Sequence, residues 1–435
     1  MTDLLRRFGL AFAASLLLPL AAAHAQLTVQ ITRGVTTPIP VAVVPFGADG
    51  LPGVDVAAVI NADLERSGRF AGLPRAAMLQ HPTSSVGLDL SQWRLVKTDF
   101  LVIGRVLPDG AGYRVEFELF NVVTGEHLLG FALPAAAGGL RLAAHRAADM
   151  IYEKILGVPG AFATRIAYVN VQGAPGNRRW RLVVADADGE NAQAVLESHE
   201  PIMSPAWSPD GARLAYVSFE GQLSAVYVQT LATSARERVS AHAGINGAPA
   251  FSPDGRRLAL ALSQPDGNVD VFVLDLASHG LTRITDDPAI DTEPCWSPDG
   301  RSLYFTSDRA GRPQIYRIQL DRGERPTRLT FDGPYNARPR VSPDGKTLAL
   351  VTLDQGAYRI AALDIASGRS RVLSSGHLDE GPTFAPNGQT VLFASKDGGR
   401  GVLETVAVDG SVSSRISAAE GDVREPAWSP RVLAP

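Results

Sequence analysis

The chain has 435 residues, 45% hydrophobic and 20% charged, with a formal net charge of −4 at pH 7. This composition excludes a disordered or fibrous polypeptide, supplies apolar material for two or three cores, and lacks the basic patch that a nucleic-acid partner demands. With 42 glycines and 30 prolines, well above the roughly 12% that the pair contributes to an average chain, frequent turns and short strands are expected.

At the N-terminus Arg6 and Arg7 precede an uncharged, mostly apolar run from Phe8 to Ala23, and Ala23 and Ala25 place small residues at −3 and −1 of a cleavage point before Gln26. Residues 1–25 therefore read as a secretory signal peptide cut between Ala25 and Gln26. The run is broken by Pro19 and is shorter than the roughly 20 residues a bilayer requires. No later stretch is long and apolar enough to span, so direct membrane insertion is not expected. Cys295 is the single cysteine, so no internal disulfide forms, and no cysteine stands at the cleavage point to take a lipid. A soluble, exported, monomeric periplasmic protein is the expectation. Its charge is about −5 once Asp3, Arg6 and Arg7 leave with the leader.

Residues 26–158 read as an α+β domain, a mixed sheet with flanking helices. LTVQIT at 27 and VAVVPF at 41 are strand-like, and 54–68 is an amphipathic helix with Val56, Ile60 and Leu64 on one face and Gly68 as its stop. A weaker helix includes Trp93. FLVIGRVL at 100, YRVEFELFNV at 113 and EHLLGFAL at 126 form a meander with Thr124-Gly125 in its second turn, and residues 140–157 close the domain as a helix. A short linker, 159–164, follows.

From residue 200 one phrase recurs: SPAWSPDG at 204, APAFSPDG at 248, EPCWSPDG at 293, RPRVSPDG at 338, GPTFAPNG at 381 and EPAWSP at 425. The prolines 205, 249, 294, 339, 382 and 426 are 43 to 45 residues apart, the period of a propeller blade. In each phrase an apolar residue ends a strand, and Ser-Pro-Asp-Gly then reverses the chain, proline fixing φ, aspartate bonding nearby backbone and glycine accepting positive φ. Three β-rich runs follow every complete turn. The last phrase lacks these runs, whereas RIAYVNV at 165, WRLVVAD at 180 and QAVLES at 193 lack a phrase before them. The fragments complement each other, predicting an all-β six-bladed β-propeller over 165–435 closed by a C-terminal strand at 425–430.

The order of leader, small α/β domain opening with PVAVVPF, NADLERSG, FATRIAYV at 162, and the words MSPAWSPDG, NGAPAFSPDG, TEPCWSPDG and LDEGPTFAPNG resembles the TolB family of periplasmic Tol-Pal propellers. The resemblance implies a non-enzymatic role in outer-membrane integrity, constriction during cell division, and, by exploitation, colicin import. It further implies binding of the lipoprotein Pal at the propeller mouth and of TolA by a mobile N-terminal segment, residues 26–37, with Gln26, Leu27, Val29 and Ile31 as its strand-like contacts. Other outer-membrane proteins are further candidate partners. Without the family, the same segment reads as an edge strand of the first domain.

Loops entering the innermost strands ring one opening. They carry eleven acids (Glu200, Asp286, Asp287, Asp291, Glu293, Asp332, Asp379, Glu380, Glu420, Asp422 and Glu425) against Arg338 and Arg424, predicting a focused negative field. Asp286, Asp287, Asp332 and Glu420 read as solvated turn residues. Met203, Ser204, Asn246, Thr292, Glu293, Arg338, Asp379, Glu380, Arg424 and Glu425, next to the box prolines, are expected to face the opening and meet Pal. Ile245 stands where the family commonly has a histidine. The mouth acids are a candidate site for a hard cation such as Ca2+.

The alternative is a propeller hydrolase or lectin acting on glycans through these acids. Against it, a sialidase-like site needs clustered arginines and the mouth has two. No Gly-x-Ser-x-Gly elbow occurs, and the histidines carry no metal-binding word. No catalytic residue and no bound metal is therefore expected.

Overall fold

The computed structural model describes residues 29–30, 37–48, 53–416 and 421–431, the side chains of Val29 and Gln30 excepted. The expected signal peptide with its cleavage point at Ala25 and Gln26, together with Leu27, Ile31 and Glu420, lies outside the described residues.

The N-terminal sheet contains β2 (Ile39–Val43), β3 (Phe70–Gly72), β4 (Phe100–Asp109), β5 (Gly112–Asn121) and β6 (His127–Ala135), in the order β3-β2-β4-β5-β6. β2 runs parallel to both β3 and β4, and β4, β5 and β6 form the antiparallel meander. The alternating faces of β2 and β4 explain its two-sided core. Val41, Val43 and Val102 pack under α1 (Val56–Arg66) and α3 (Leu140–Leu156). Ala42, Val44, Leu101 and Ile103 pack against Met78 and Trp93, the latter carried by the short α2 (Ser91–Leu95). Helix α1 starts where Asp55 accepts a hydrogen bond from the Ala58 amide, and α3 ends at Gly157 with φ 73°, the left-handed cap that glycine suits.

The rest of the described chain is a six-bladed propeller. Its innermost strands are Ile202–Trp207, Asn246–Phe251, Asp291–Trp296, Asn336–Val341, Glu380–Phe384 and Asp422–Trp428, which head blades 1 to 6 respectively. The last of these starts three residues before the position expected from the sequence, and pairs with Arg165–Gln172, so blade 6 draws its other three strands from residues 165–198. Inter-blade ties repeat at the turn end. Arg165 donates to Gly211 O and Arg213 to Gly255 O, each one blade onward. The indole N–H of Trp207 donates to Ala427 O, and that of Trp296 to Ala250 O.

The structure corrects the edge-strand reading of the N-terminal segment. Strand β1 (Val29–Gln30) lies antiparallel on Ser413–Ile416 as a fifth strand at the outer edge of blade 5, not on the first domain's sheet. The two domains touch closely. A Cβ at Gly68 would stand 2.3 Å from Val412 Cγ2, so the residue that stops α1 also lets the domain approach blade 5. Asp149 of α3 accepts the amide hydrogens of Phe162 and Ala163, fixing the connection into the propeller.

Candidate functional site at the propeller mouth

All six innermost strands break register just before the box proline, between Met203 and Ala206, Gly247 and Ala250, Thr292 and Cys295, Ala337 and Arg340, Glu380 and Thr383, and Arg424 and Ala427. At each break one residue is left-handed: Ser204 (φ 51°), Ala248 (47°), Glu293 (55°), Arg338 (54°), Gly381 (63°) and Glu425 (53°). Five are not glycine, a conformation rare enough outside turns to mark a built feature. The bulges place six side-chain positions around the opening on one backbone template.

The occupants of this ring bind one another. The Arg338 guanidinium lies 2.9 Å from Glu293 Oε1 and 3.2 Å from Glu425 Oε1. The Arg338 amide donates to Glu293 Oε2, and the Thr306 hydroxyl donates to the same oxygen. Arg338 reaches Glu425 across Gly381, whose absent Cβ would sit 3.7 Å from the guanidinium and 3.2 Å from Pro426. The Glu425 charge, ahead of the opposing cost of burial, holds the Arg338 pKa above its ordinary value, so the guanidinium stays charged.

Two residues before each left-handed position, the side chain is buried: Ile202, Asn246, Asp291, Asn336, Asp379 and Val423. This corrects the expectation that Asn246 and Asp379 face the opening. Asn246, 1% exposed, accepts from the Ser240 hydroxyl and the His242 amide and donates to His242 O. Asp379, 0% exposed, accepts from the Ser374 and Ser395 hydroxyls and the Gly376 amide. Both hold the loop that enters their blade. Sequence position alone gave them the same standing as Met203 and Thr292, because the fold of the loop over the side chain is not encoded in spacing.

The expected negative field is partly compensated. Arg309 pairs with Asp291 and Asp287, Arg283 with Asp286, and Lys396 and Arg424 with Asp422. Three of these cations sit outside the entering loops. Burial pushes the Asp291 carboxyl up, and hydrogen bonds from Ser307 and Arg309 oppose it. Among the described residues, Glu200, Asp332, Asp379 and Glu380 are the counted acids without a cationic partner, and Asp379 is buried under its own loop. The candidate Ca2+ site has no convergent set of three carboxylates among the described residues, and Arg338 already supplies positive charge between two of the acids.

Sequence reasoning named Met203 and noted Ile245 but missed the apolar rim to which they belong. Met203 (38% exposed), Leu223, Ile245, Ile290, Phe331 (72%) and Leu378 are exposed. Met203 lies near the start of its innermost strand, and the other five lie on loops that the up-and-down strand order brings to the same end of the propeller. Arg328 stacks on Phe331 at 5.0 Å. The rim's signal was present as single apolar residues in otherwise polar loops of blades 1 to 5, which a count of charges passes over.

The model for the TolB beta propeller domain matches residues 152–432, and that for the TolB amino-terminal domain matches residues 27–128. This chain belongs to the TolB family. It is 52% identical over 423 residues to the Tol-Pal system protein TolB of Xanthomonas oryzae, covering 95% of this chain and 96% of that one. A second TolB, from Xanthomonas campestris, is 51% identical over 432 residues with 97% of each chain covered. The crystal structure of TolB from Acinetobacter baumannii superposes with a TM-score of 0.85 at 39% identity, covering 93% of this chain and all of that one. The chain is thus a TolB component of the Tol-Pal system. No helix among the described residues is long and apolar enough to cross a membrane.

Proposed function

We propose that this TolB is a non-enzymatic, periplasmic binding protein that holds the lipoprotein Pal at its propeller mouth. On this reading, TolA is engaged by the segment around Gln26, Leu27, Val29 and Ile31, and the Val29–Gln30 strand leaves blade 5 for this to happen. The pair of contacts would support outer-membrane integrity and constriction during division, and would be open to exploitation by colicins. Residues 26–158 and 165–435 act as the two working units.

The observation that carries the reading is the composition of the mouth: an exposed apolar rim around a fixed ion triad, the anatomy of a protein interface with an apolar contact zone and oriented charges. Ser204, Thr292, Glu293, Glu380, Arg424 and Glu425 supply polar contacts inside the rim and Met203 an apolar one. Arg338 orients the two glutamates, while Asn246 and Asp379 act by holding their loops. The place of β1 at the outer edge of blade 5 supports a segment that exchanges partners, since an edge strand is held by one neighbour alone.

Titration calorimetry of the mature protein against the soluble domain of its own Pal tests this. Binding that falls at least tenfold in Phe331→Ser and Ile245→Ser, with only weak dependence on salt, is the expected result. Undiminished binding by both variants would move the contact away from the mouth, and absence of binding by the folded protein would remove Pal as the partner. Removing residues 26–37 is expected to abolish TolA capture and leave Pal binding intact.

A further inference from the structure

The contact between the N-terminal domain and the propeller contains a buried histidine that the proposed function does not use. His145 sits mid-way along α3 and is 1% exposed. Its Nδ1 is 2.6 Å from Asp63 Oδ2 on α1. Its Nε2 has no hydrogen-bond partner and points to the propeller, 3.7 Å from Asp188 Oδ2 and 4.0 Å from Asp186 Oδ2. Those two aspartates belong to the hairpin between Arg179–Asp186 and Gln193–Ser198 of blade 6. One imidazole therefore bridges the two domains with a carboxylate facing each nitrogen. A neutral ring would aim a lone pair at one of them, and only the doubly protonated ring offers a donor to both.

The charges around the ring give the same answer. Arg66 of α1 lies 2.6 Å from Asp63 and 3.8 Å from Asp188. Arg141 of α3 pairs closely with Asp188 and lies 3.7 Å from Asp186. Three carboxylates meet two guanidiniums, so the cluster is neutral when His145 is charged and carries one uncompensated negative charge when it is not. Because the guanidiniums already occupy the Asp63 and Asp188 oxygens, a proton completes the cluster with less rearrangement than a metal cation. Asp149, one turn along α3, grips the Phe162 and Ala163 amides of the connection.

We propose that His145 is a proton-operated latch between the N-terminal domain and blade 6, closed when the imidazole is doubly protonated and loosened when it loses that proton. Burial opposes the charged ring, but the Asp63 hydrogen bond and the Asp63 and Asp188 charges outweigh it and hold the pKa above the ordinary histidine value. A raised folded value means that the latch is fully closed below about pH 6.5 and opens as the pH climbs through the folded value. Burial also pushes the Asp149 carboxyl up to about 6, with the Asp63 charge adding to it, so its titration must be separated from that of His145.

The test uses the full mature protein. The His145 ring is titrated by nitrogen-edited NMR from pH 5.5 to 9, with hydrogen exchange at Phe162 and Ala163 followed in parallel and corrected for intrinsic base catalysis. The expected results are a ring pKa above 6.5 and at least a tenfold gain in exchange at high pH. His145→Gln should show the high exchange level at every pH, and Asp149→Asn should keep the wild-type pH dependence above 6.5. A ring pKa at or below 6.5, or a pH dependence that survives His145→Gln, overturns the latch. The wild-type ring pKa decides the matter alone if the glutamine variant does not fold.

Discussion

At the turn end of the innermost strands, Ser208, Ser252, Ser297 and Ser342 make one set of bonds four times over. Each hydroxyl donates to the aspartate two residues on, at 2.5 to 2.6 Å, and accepts the amide five residues on. At the mouth end of the same strands, the left-handed position carries six occupants of five kinds on one backbone. The repeat thus keeps its chemistry where every blade has the same hairpin to form, and varies it where the backbone already guarantees the geometry and the side chain is free to serve a surface. A bulge with a left-handed residue and a following proline is a mount, and Ser204, Ala248, Glu293, Arg338, Gly381 and Glu425 are what this chain mounts on it.

The largest effect is expected from ending the chain before Asp422. Loss of the closing strand exposes the edge of Arg165–Gln172 and takes Val423, Ala427 and Trp428 out of the cores they help to fill. This amounts to on the order of 5 kcal/mol, comparable with a typical total stability, and urea unfolding should lose its single cooperative transition. Arg338→Met comes next. It leaves Glu293 and Glu425 facing each other without the cation between them, at a cost of about 3 kcal/mol, and Arg338→Met combined with Glu293→Gln should recover part of the loss in the same unfolding assay. Ser252→Ala and Ser297→Ala should each cost about 1 kcal/mol and equal one another. If they differ as widely as mouth substitutions do, the two-ended contrast fails. Phe331→Ser should move stability by less than about 0.5 kcal/mol while acting on partner binding, which separates mount from cargo most cleanly.

A carboxyl titration followed by NMR sharpens the same contrast. The Ser208, Ser252, Ser297 and Ser342 hydroxyls hold Asp210, Asp254, Asp299 and Asp344 below the ordinary value of 3.8, so their support of the turns is present above that value and lost as pH falls through the lowered ones. Asp291 at the mouth end is raised instead, by burial. All five titrating together would erase the distinction.

The propeller was legible in sequence because its punctuation is local: proline, aspartate and glycine act within four residues. Helix α1 was legible for the same reason, through Val56, Ile60 and Leu64 and the stop at Gly68. The mouth was only half legible. Its position followed from the repeat, but the compensation of its charge did not, because Arg309, Arg283 and Lys396 reach the ring acids from outside the loops that were counted. Asn246 and Asp379 were misplaced for a related reason, since burial depends on how a loop folds over its own side chain. The β1 pairing with Ser413–Ile416 joins segments more than 380 residues apart, and no local pattern announces such a partner.

The join in blade 6 has a consequence for the order of assembly. Arg165 and Ser429 are bonded across 264 residues of chain, and a contact that distant repays its loop-closure entropy only when both partners exist. Synthesis delivers Arg165–Ser198 early and Asp422–Trp428 late, so three strands of blade 6 must wait, with one ladder edge bare, while five whole blades are made. The ring becomes a ring in a single late event, and until then the chain presents an unpaired strand edge of the kind that invites foreign pairing.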